Sequence, residues 1–368
     1  VSHDLSTPVP PADHTPPDKR GNRRAQKKKR RTGRIVLFSL LALVLVLGGT
    51  AYWLYSSLDS KLKDNAVDLD KALGDDSSRP AKKAAAGDAM NLLVLGSDSR
   101  AGDNGDLAGG NVSGQRSDTT LLVHIAKGHT EAVAVSIPRD TLVTRPECTT
   151  ESGKVLPEAK RVMFNAVYAL GGPACTAKTV ESMSDVRIDH LVELDFSGFK
   201  QIVDEVGGVT VKLDEPIDND QLQLGTGTHR LDGDQSLQFV RTRHGYGDGS
   251  DLGRIELQQK FLKALISEVQ KQDLLTSPTK AYSIARSATG ALTTDKELAS
   301  LTALADFAQS VKGIDAEGME TVMLPVTYDK VDPNRVVAVE SKAEKLWTAI
   351  RDDTEIPAEL LKDAKKTG

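Results

Sequence analysis

Hydrophobic and polar positions change period along the chain in a way that separates strands from helices. Met90–Gly96 is a nearly continuous apolar run ended by glycine, the mark of a buried strand. Thr119–Ile125 and Glu131–Ile137 read as two more strands, the second stopping at Pro138-Arg139-Asp140. Between the first two, Ser97–Ser117 is polar and glycine-rich and predicts a long loop. Val162–Leu170 and Ala174–Met183 have helical patterns, separated by Gly171-Gly172-Pro173. His190–Phe196 alternates like a strand, Phe199–Val206 is helical up to Gly207-Gly208, and Asp251–Gln270 is a strong amphipathic helix. Val209–Leu213 and Leu237–Arg241 fit extended or short helical structure. Pro278–Ser287, Glu297–Val311 and Ser341–Arg351 read as helices and Thr321–Val326 as a strand. Strands alternating with helices predict an α/β (α+β) domain with a mixed central sheet flanked by helices.

The N-terminal quarter has a different character. Ile35–Tyr55 carries no charge and is rich in leucine and valine, long enough to cross a bilayer as a helix. A buried helix and a cleaved signal peptide are the alternatives. Its length, the absence of a small-x-small cleavage site and the aromatic trio Tyr52, Trp53 and Tyr55 favour a retained span. Lys19–Arg34 holds ten lysines and arginines, which by the positive-inside rule puts the N-terminus in the cytoplasm, against anionic lipid. The expected plan is a disordered basic tail over 1–34, a span over 35–55 and a stalk over 56–87. An extracytoplasmic domain over 88–353 and a short tail over 354–368 complete it.

Charge sharpens this plan. Residues 1–34 carry ten basic and three acidic side chains, so the tail is +7 and the remainder is −12 of a total of −5. So acidic a body is a poor non-specific binder of nucleic acid, and simple solubility is the plainer reason for its charge. The two cysteines, Cys148 and Cys175, fall on the oxidising side, which permits a disulfide; two free buried thiols are the alternative. Their spacing is not that of a zinc site.

Two stretches carry the candidate chemistry, Gln115-Arg116-Ser117-Asp118-Thr119 and Val240-Arg241-Thr242-Arg243-His244. Arginine offers phosphate a planar fork of donors, and aspartate holds hard divalent cations. Asp98 and Asp118 flank the glycine-rich loop and emerge at one sheet edge if their strands are neighbours. Two carboxylates about 4 Å apart repel by several kcal/mol, so such a pair needs a cation or a proton. The plainer alternative is two solvated aspartates capping turns. Arg116, Arg139, Arg241, Arg243 and Arg254 each stand at an element end, where the alternative to a ligand contact is a surface ion pair. If their segment is extended, Arg241 and Arg243 share a face and call for a polyanion such as pyrophosphate. Ser97, Ser99, Ser117 and Thr119 lack a nucleophile-elbow context, His124 and His190 read as packing residues, and no P-loop or dinucleotide fingerprint occurs.

In these residues the chain resembles the LytR-CpsA-Psr family of membrane-anchored cell-wall glycopolymer transferases. The resemblance rests on Asn91–Arg100 (NLLVLGSDSR), Arg116–Leu122 (RSDTTLL), Val135–Thr141 (VSIPRDT) and Asn165–Gly172 (NAVYALGG). Phe196–Phe199, Val206–Val209, Phe239–Arg243 and Gly247–Arg254 continue it in order, so that it covers 90–266. It implies transfer of a glycopolymer from an undecaprenyl or decaprenyl pyrophosphate carrier to peptidoglycan through a phosphodiester. Magnesium, or manganese, would sit on Asp98 and Asp118, and Arg116, Arg139, Arg241, Arg243, Arg254 and Gln258 would clamp the pyrophosphate. Asp118, Arg116 and Arg139 would be the catalytic set, and Arg161 stands where the family often carries a lysine near the pyrophosphate, either as its substitute or with the contact absent. Val192–Phe199 and Phe261–Ile266 could line a groove for the lipid. A hydrolase of the same lipid and a non-catalytic polyprenyl phosphate sensor are the alternatives.

Overall fold

The structure, a computed structural model, describes residues 45–46, 48–50, 52–74, 76–97, 117–150, 152–242, 245–246, 251–271, 283–284, 286–287, 289–290, 292–314 and 319–361. The chain divides into two units, 1–56 and 57–368. The described part of the first is helical, with Tyr52 and Trp53 exposed. The expected span over 35–55 falls largely outside the described residues, among which no helix is long and apolar enough to cross a membrane.

The second unit is built on a six-stranded sheet of β1 (Met90–Ser97), β2 (Ser117–Ile125), β3 (Ala132–Ser136), β4 (His190–Asp195), β5 (Leu292–Thr294) and β6 (Glu320–Met323). Their order is β5-β4-β1-β2-β3-β6. β4 runs parallel to β1 and β6 parallel to β3, while β2 and β5 are antiparallel to their neighbours. The carboxyl ends of β1, β3, β4 and β6 therefore share one edge with the start of β2. This is the mixed sheet that the sequence predicts.

Leu93, Leu95, Leu122 and Val135 have no exposed surface and face α1 (Phe164–Ser184) and α6 (Glu340–Asp352), whose Leu346 and Trp347 are buried with them. Cutting such a leucine to alanine costs about 2–5 kcal/mol. α2 (Phe196–Glu205), α3 (Gly233–Arg241) and α4 (Asp251–Lys271) build a second core around Val203, Phe239, Leu257 and Phe261. α5 (Leu301–Ser310) starts on Ser300, whose side chain accepts from Ala303 N.

α1 breaks where the sequence predicts it, at Gly172 (φ 71°) followed by Pro173. The ambiguous Leu237–Arg241 is helix, because Asp232 and Gln235 form a reciprocal capping box that sets the start of α3. The extended alternative, and with it the shared strand face of Arg241 and Arg243, does not hold. The segment read as a stalk is also different. Leu58, Leu62, Val67, Leu69 and Leu73 are buried, and Arg79 donates to Glu181 at 2.8 Å, so 57–87 belongs to the folded unit.

Candidate functional site

The end of β1 meets the start of β2 at an irregularity. Gly96 pairs with Thr119 and Ser97 with Ser117, which leaves Asp118 as the extra residue of a bulge. Bulges redirect a strand and recur beside active sites. Gly96 lets β2 approach closely there: an added Cβ would lie 3.2 Å from Thr119 Cβ, so Thr119 would have to give way by a few tenths of an ångström. On the other side of β1, Ser97 pairs with Asp195, which ends β4 and caps α2 by accepting from Gly198 N at 2.7 Å. Asp98, Arg116 and Arg243 lie outside the described residues, as does the side chain of Asp118.

Three of the predicted arginines are described. Arg139 follows β3 at the same edge, its carbonyl accepting from Asn165 N at 3.0 Å and its Nε donating to Asp140 Oδ2 at 3.3 Å. Arg241 ends α3 with its guanidinium carbon 4.8 Å from the centre of the Phe196 ring, at the start of α2. Stacking holds a guanidinium without consuming its charge. Arg254 is 4% exposed on α4, one turn before Gln258. Gln258 Nε2 donates to Thr119 Oγ1 at 3.1 Å and to Val240 O at 3.0 Å. Both amide protons are thus engaged in tying α4 to the start of β2 and the last turn of α3. So Arg139, the end of α3 and the Asp118 bulge are connected through backbone and side-chain bonds to one edge of the sheet.

The profile of the LytR_cpsA_psr family matches residues 56–352. The chain belongs to the LytR_cpsA_psr family. It is 33% identical over 261 residues to the polyisoprenyl-teichoic acid–peptidoglycan teichoic acid transferase TagT of Bacillus subtilis, covering 68% of this chain and 74% of that one. It is 29% identical to the transferase of the same description, TagU, of Oceanobacillus iheyensis, over 87% of this chain and 96% of the relative. Among solved structures, TagT bound to LI-WTA superposes with a TM-score of 0.54 at 24% identity, over 78% of this chain and 98% of that one. The gbs0355 protein of Streptococcus agalactiae gives 0.57 at 21%, over 73% and 89%. These two establish the shared fold.

Arg161, which the resemblance offers in place of a lysine, is engaged by an aspartate. Its Nη2 donates to Asp329 Oδ2 at 2.8 Å, and Asp329 is held down to about 2, first by that hydrogen bond. Phe261, expected to line a lipid groove, is 3% exposed and packs on Phe199 and Phe239 as ordinary core. Cys148 and Cys175 form the expected disulfide, with Cα atoms 5.6 Å apart, joining strand 148–149 to α1. Among the described residues, one trio has metal-ligand spacing, His190, Asp295 and Glu297. It lies at the opposite edge, and Asp295 already accepts from the backbone N–H of Leu191, Glu297 and Leu298. Sequence reasoning missed Tyr168, whose phenol meets Ser97 under the bulge, and Glu193, which accepts from that phenol. No spacing rule joins residues on three elements, so only the tertiary structure could find them.

Proposed function

We propose that this chain is a single-span membrane enzyme whose outer domain transfers a glycopolymer from a polyprenyl pyrophosphate carrier to peptidoglycan as a phosphodiester. The observation that carries the reading is that Arg139 and Arg241 stand, with the Asp118 bulge, at one strand edge of a family fold. The relatives named above are transferases of this chemical class. Ligands of open α/β sheets sit beyond the carboxyl ends of strands, and phosphoryl transfer needs positioning and charge compensation more than covalent help.

The donor chemistry suits a hard divalent cation, because Asp98 and Asp118 supply oxygen ligands and bracket the β1–β2 junction in sequence. Magnesium held there would compensate pyrophosphate charge. Arg139, Arg241 and Arg254, with Arg116 and Arg243, bind the phosphate oxygens and orient the donor. An acceptor hydroxyl forms the new O–P bond, the bond from phosphorus to the bridging oxygen breaks, and polyprenyl phosphate leaves. The hydroxyl proton passes to a carboxylate, Asp118, or to water. Gln258 acts by clamping α4 to β2 and α3 rather than by donating to the substrate from Nε2.

The test combines the full chain in detergent with magnesium, a short polyprenyl pyrophosphate glycan and peptidoglycan oligomers, read by mass spectrometry. A phosphodiester-linked adduct that disappears with EDTA is expected. Free glycan phosphate without adduct would instead assign hydrolysis, and an untouched donor would leave a binding protein.

A further inference from the structure

Beside Arg139, a short hairpin carries an aromatic ring into solvent. Val326–Tyr328 pairs antiparallel with Val336–Ala338, and Val336 in turn bridges to Thr141 and donates its N–H to Asp140 O at 3.3 Å. Tyr328 therefore lies two strand spacings, about 10 Å, from the backbone that follows Arg139. A charged contact doubles the link: Arg335 Nη1 is 3.5 Å from Asp140 Oδ1, while Arg139 Nε donates to the other oxygen at 3.3 Å. The turn of the hairpin is fastened as well. Asp329 accepts from Arg161 Nη2 and from the backbone N–H of Val331 and Asp332.

Strand side chains alternate, so Tyr328 shares a face with Val326 and, across the pair, with Val336 and Ala338. Val326 and Ala338 pack on the main core, yet Tyr328 is 75% exposed. The hairpin runs past the body there, and the ring stands in solvent on a rigid mount. Such a ring binds without first paying to be ordered. Asp329, Lys330, Asp332, Asn334 and Arg335 surround it in sequence, which suits a hydrated partner rather than a lipid surface. A sugar fits both features, because the C–H face of a pyranose packs on an aromatic ring while its hydroxyls stay with polar groups. The donor has its own anchor in the pyrophosphate. The acceptor reacts through a neutral hydroxyl within a polymer, so its sugars have to be held beside the phosphorus. We propose that Tyr328 is a specificity-determining residue for the acceptor: its ring packs on one sugar of the peptidoglycan strand and so directs the hydroxyl of a neighbouring sugar to the Arg139 edge. The inference rests on the transferase reading of that edge.

The experiment compares wild type, Tyr328→Ala and Tyr328→Phe as full chains in detergent, each with its melting temperature, in the transfer reaction. Undecorated peptidoglycan oligomers and the polyprenyl pyrophosphate glycan are varied in turn. Tyr328→Ala should raise KM for the oligomers about tenfold, the scale of one aromatic contact, with kcat at saturating acceptor, KM for the donor and melting temperature unchanged. Tyr328→Phe keeps the ring and should stay within about twofold of wild type. A Tyr328→Ala enzyme with wild-type KM for the oligomers would overturn the inference and leave the transferase reading standing. Equal losses in the two variants would overturn it too, by assigning the effect to the phenol hydroxyl. So would a rise confined to the donor, which would set the hairpin against the lipid-linked chain. If Tyr328→Ala does not fold, Tyr328→Leu, which keeps bulk without the ring, decides by the same KM. A wild-type chain that forms no adduct would sink the parent reading and this inference with it.

Discussion

Where β1, β3 and β4 begin, charged groups are consumed by one another and by the backbone. Asp189 accepts from Asn91 N at 2.8 Å and pairs with Lys82 at 3.3 Å. Glu181 accepts from Arg79 at 2.8 Å and from Ile188 N at 2.9 Å, and both side chains are 5% exposed. His124 bonds Asn91 Oδ1 at 2.8 Å and Asp353 Oδ1 at 3.0 Å. At the end where the same strands finish, the sheet breaks register at Asp118, and Arg241 rests on an aromatic face. Both edges are rich in ionisable groups, so charge density does not distinguish them. The difference is where the charges stand: one set bridges elements that close the fold, and the other lies beside an irregular strand junction at the carboxyl ends of the strands, where ligands of open α/β sheets sit.

The largest expected effect tests the second edge. Arg139→Ala should lower kcat for transfer by about 10²–10³, the scale of losing one donor to a transition-state oxyanion, with an unchanged melting temperature. Lys82→Ala, a half-exposed ion pair at the first edge, should alter turnover less than about twofold. Equal losses in the two variants would erase the functional contrast between the edges.

The first edge should answer in stability. Removing one partner of a buried ion pair costs about 3–5 kcal/mol, because the other is left uncompensated. Arg79→Ala should show a loss of that size in urea unfolding while turnover per folded molecule is retained. A further prediction concerns the disulfide, which belongs to neither edge. Replacing Cys148 and Cys175 by serine should cost on the order of 3 kcal/mol by the loop-entropy relation, seen as a lower unfolding midpoint. Thiol labelling of the denatured, unreduced chain should find no free thiol.

How much of this was legible in the sequence depends on the range of the interaction that made each feature. β1, β2 and β3 follow from apolar runs stopped by glycine or by Pro138, and the two halves of α1 from Gly172-Pro173, all local signals. α3 was ambiguous by periodicity, although Asp232 followed three residues later by Gln235 is a capping signal that would have settled it. The hairpins within 142–163 and 326–338 are made of strands of two to five residues, too short for a period to register. The stalk was misread because lysine, aspartate and alanine dominate its composition. Its Leu58–Leu62 and Leu69–Leu73 spacings of four are the helical signal that composition concealed. At the site, Arg139, Arg241 and Arg254 are singled out by residue type and by their places at element ends, and Gln258 by the family resemblance alone. The commitment of Gln258 to Thr119 and of Arg161 to Asp329 is long-range and was invisible.

The smallest effect expected at the first edge is a pH dependence set by two histidines that oppose each other. Burial pulls His190 down, but its pairing with the Asp295 carboxylate, 3.4 Å away, more than offsets this and raises its pKa above 6.5. A raised histidine stabilises fully below its unfolded pKa and loses that contribution as pH rises through the folded value. For His124, burial dominates over the Asp353 contact and its pKa is lowered, so its contribution is present above 6.5 and is lost as pH falls. Unfolding free energies compared between wild type and His190→Gln should therefore differ most near pH 5.5 and converge near about pH 8.5. The ring signals of the two histidines in NMR should titrate on opposite sides of the free-histidine value. If His190 titrates below it, the Asp295 contact does not outweigh burial, and this edge holds its histidines neutral by desolvation alone.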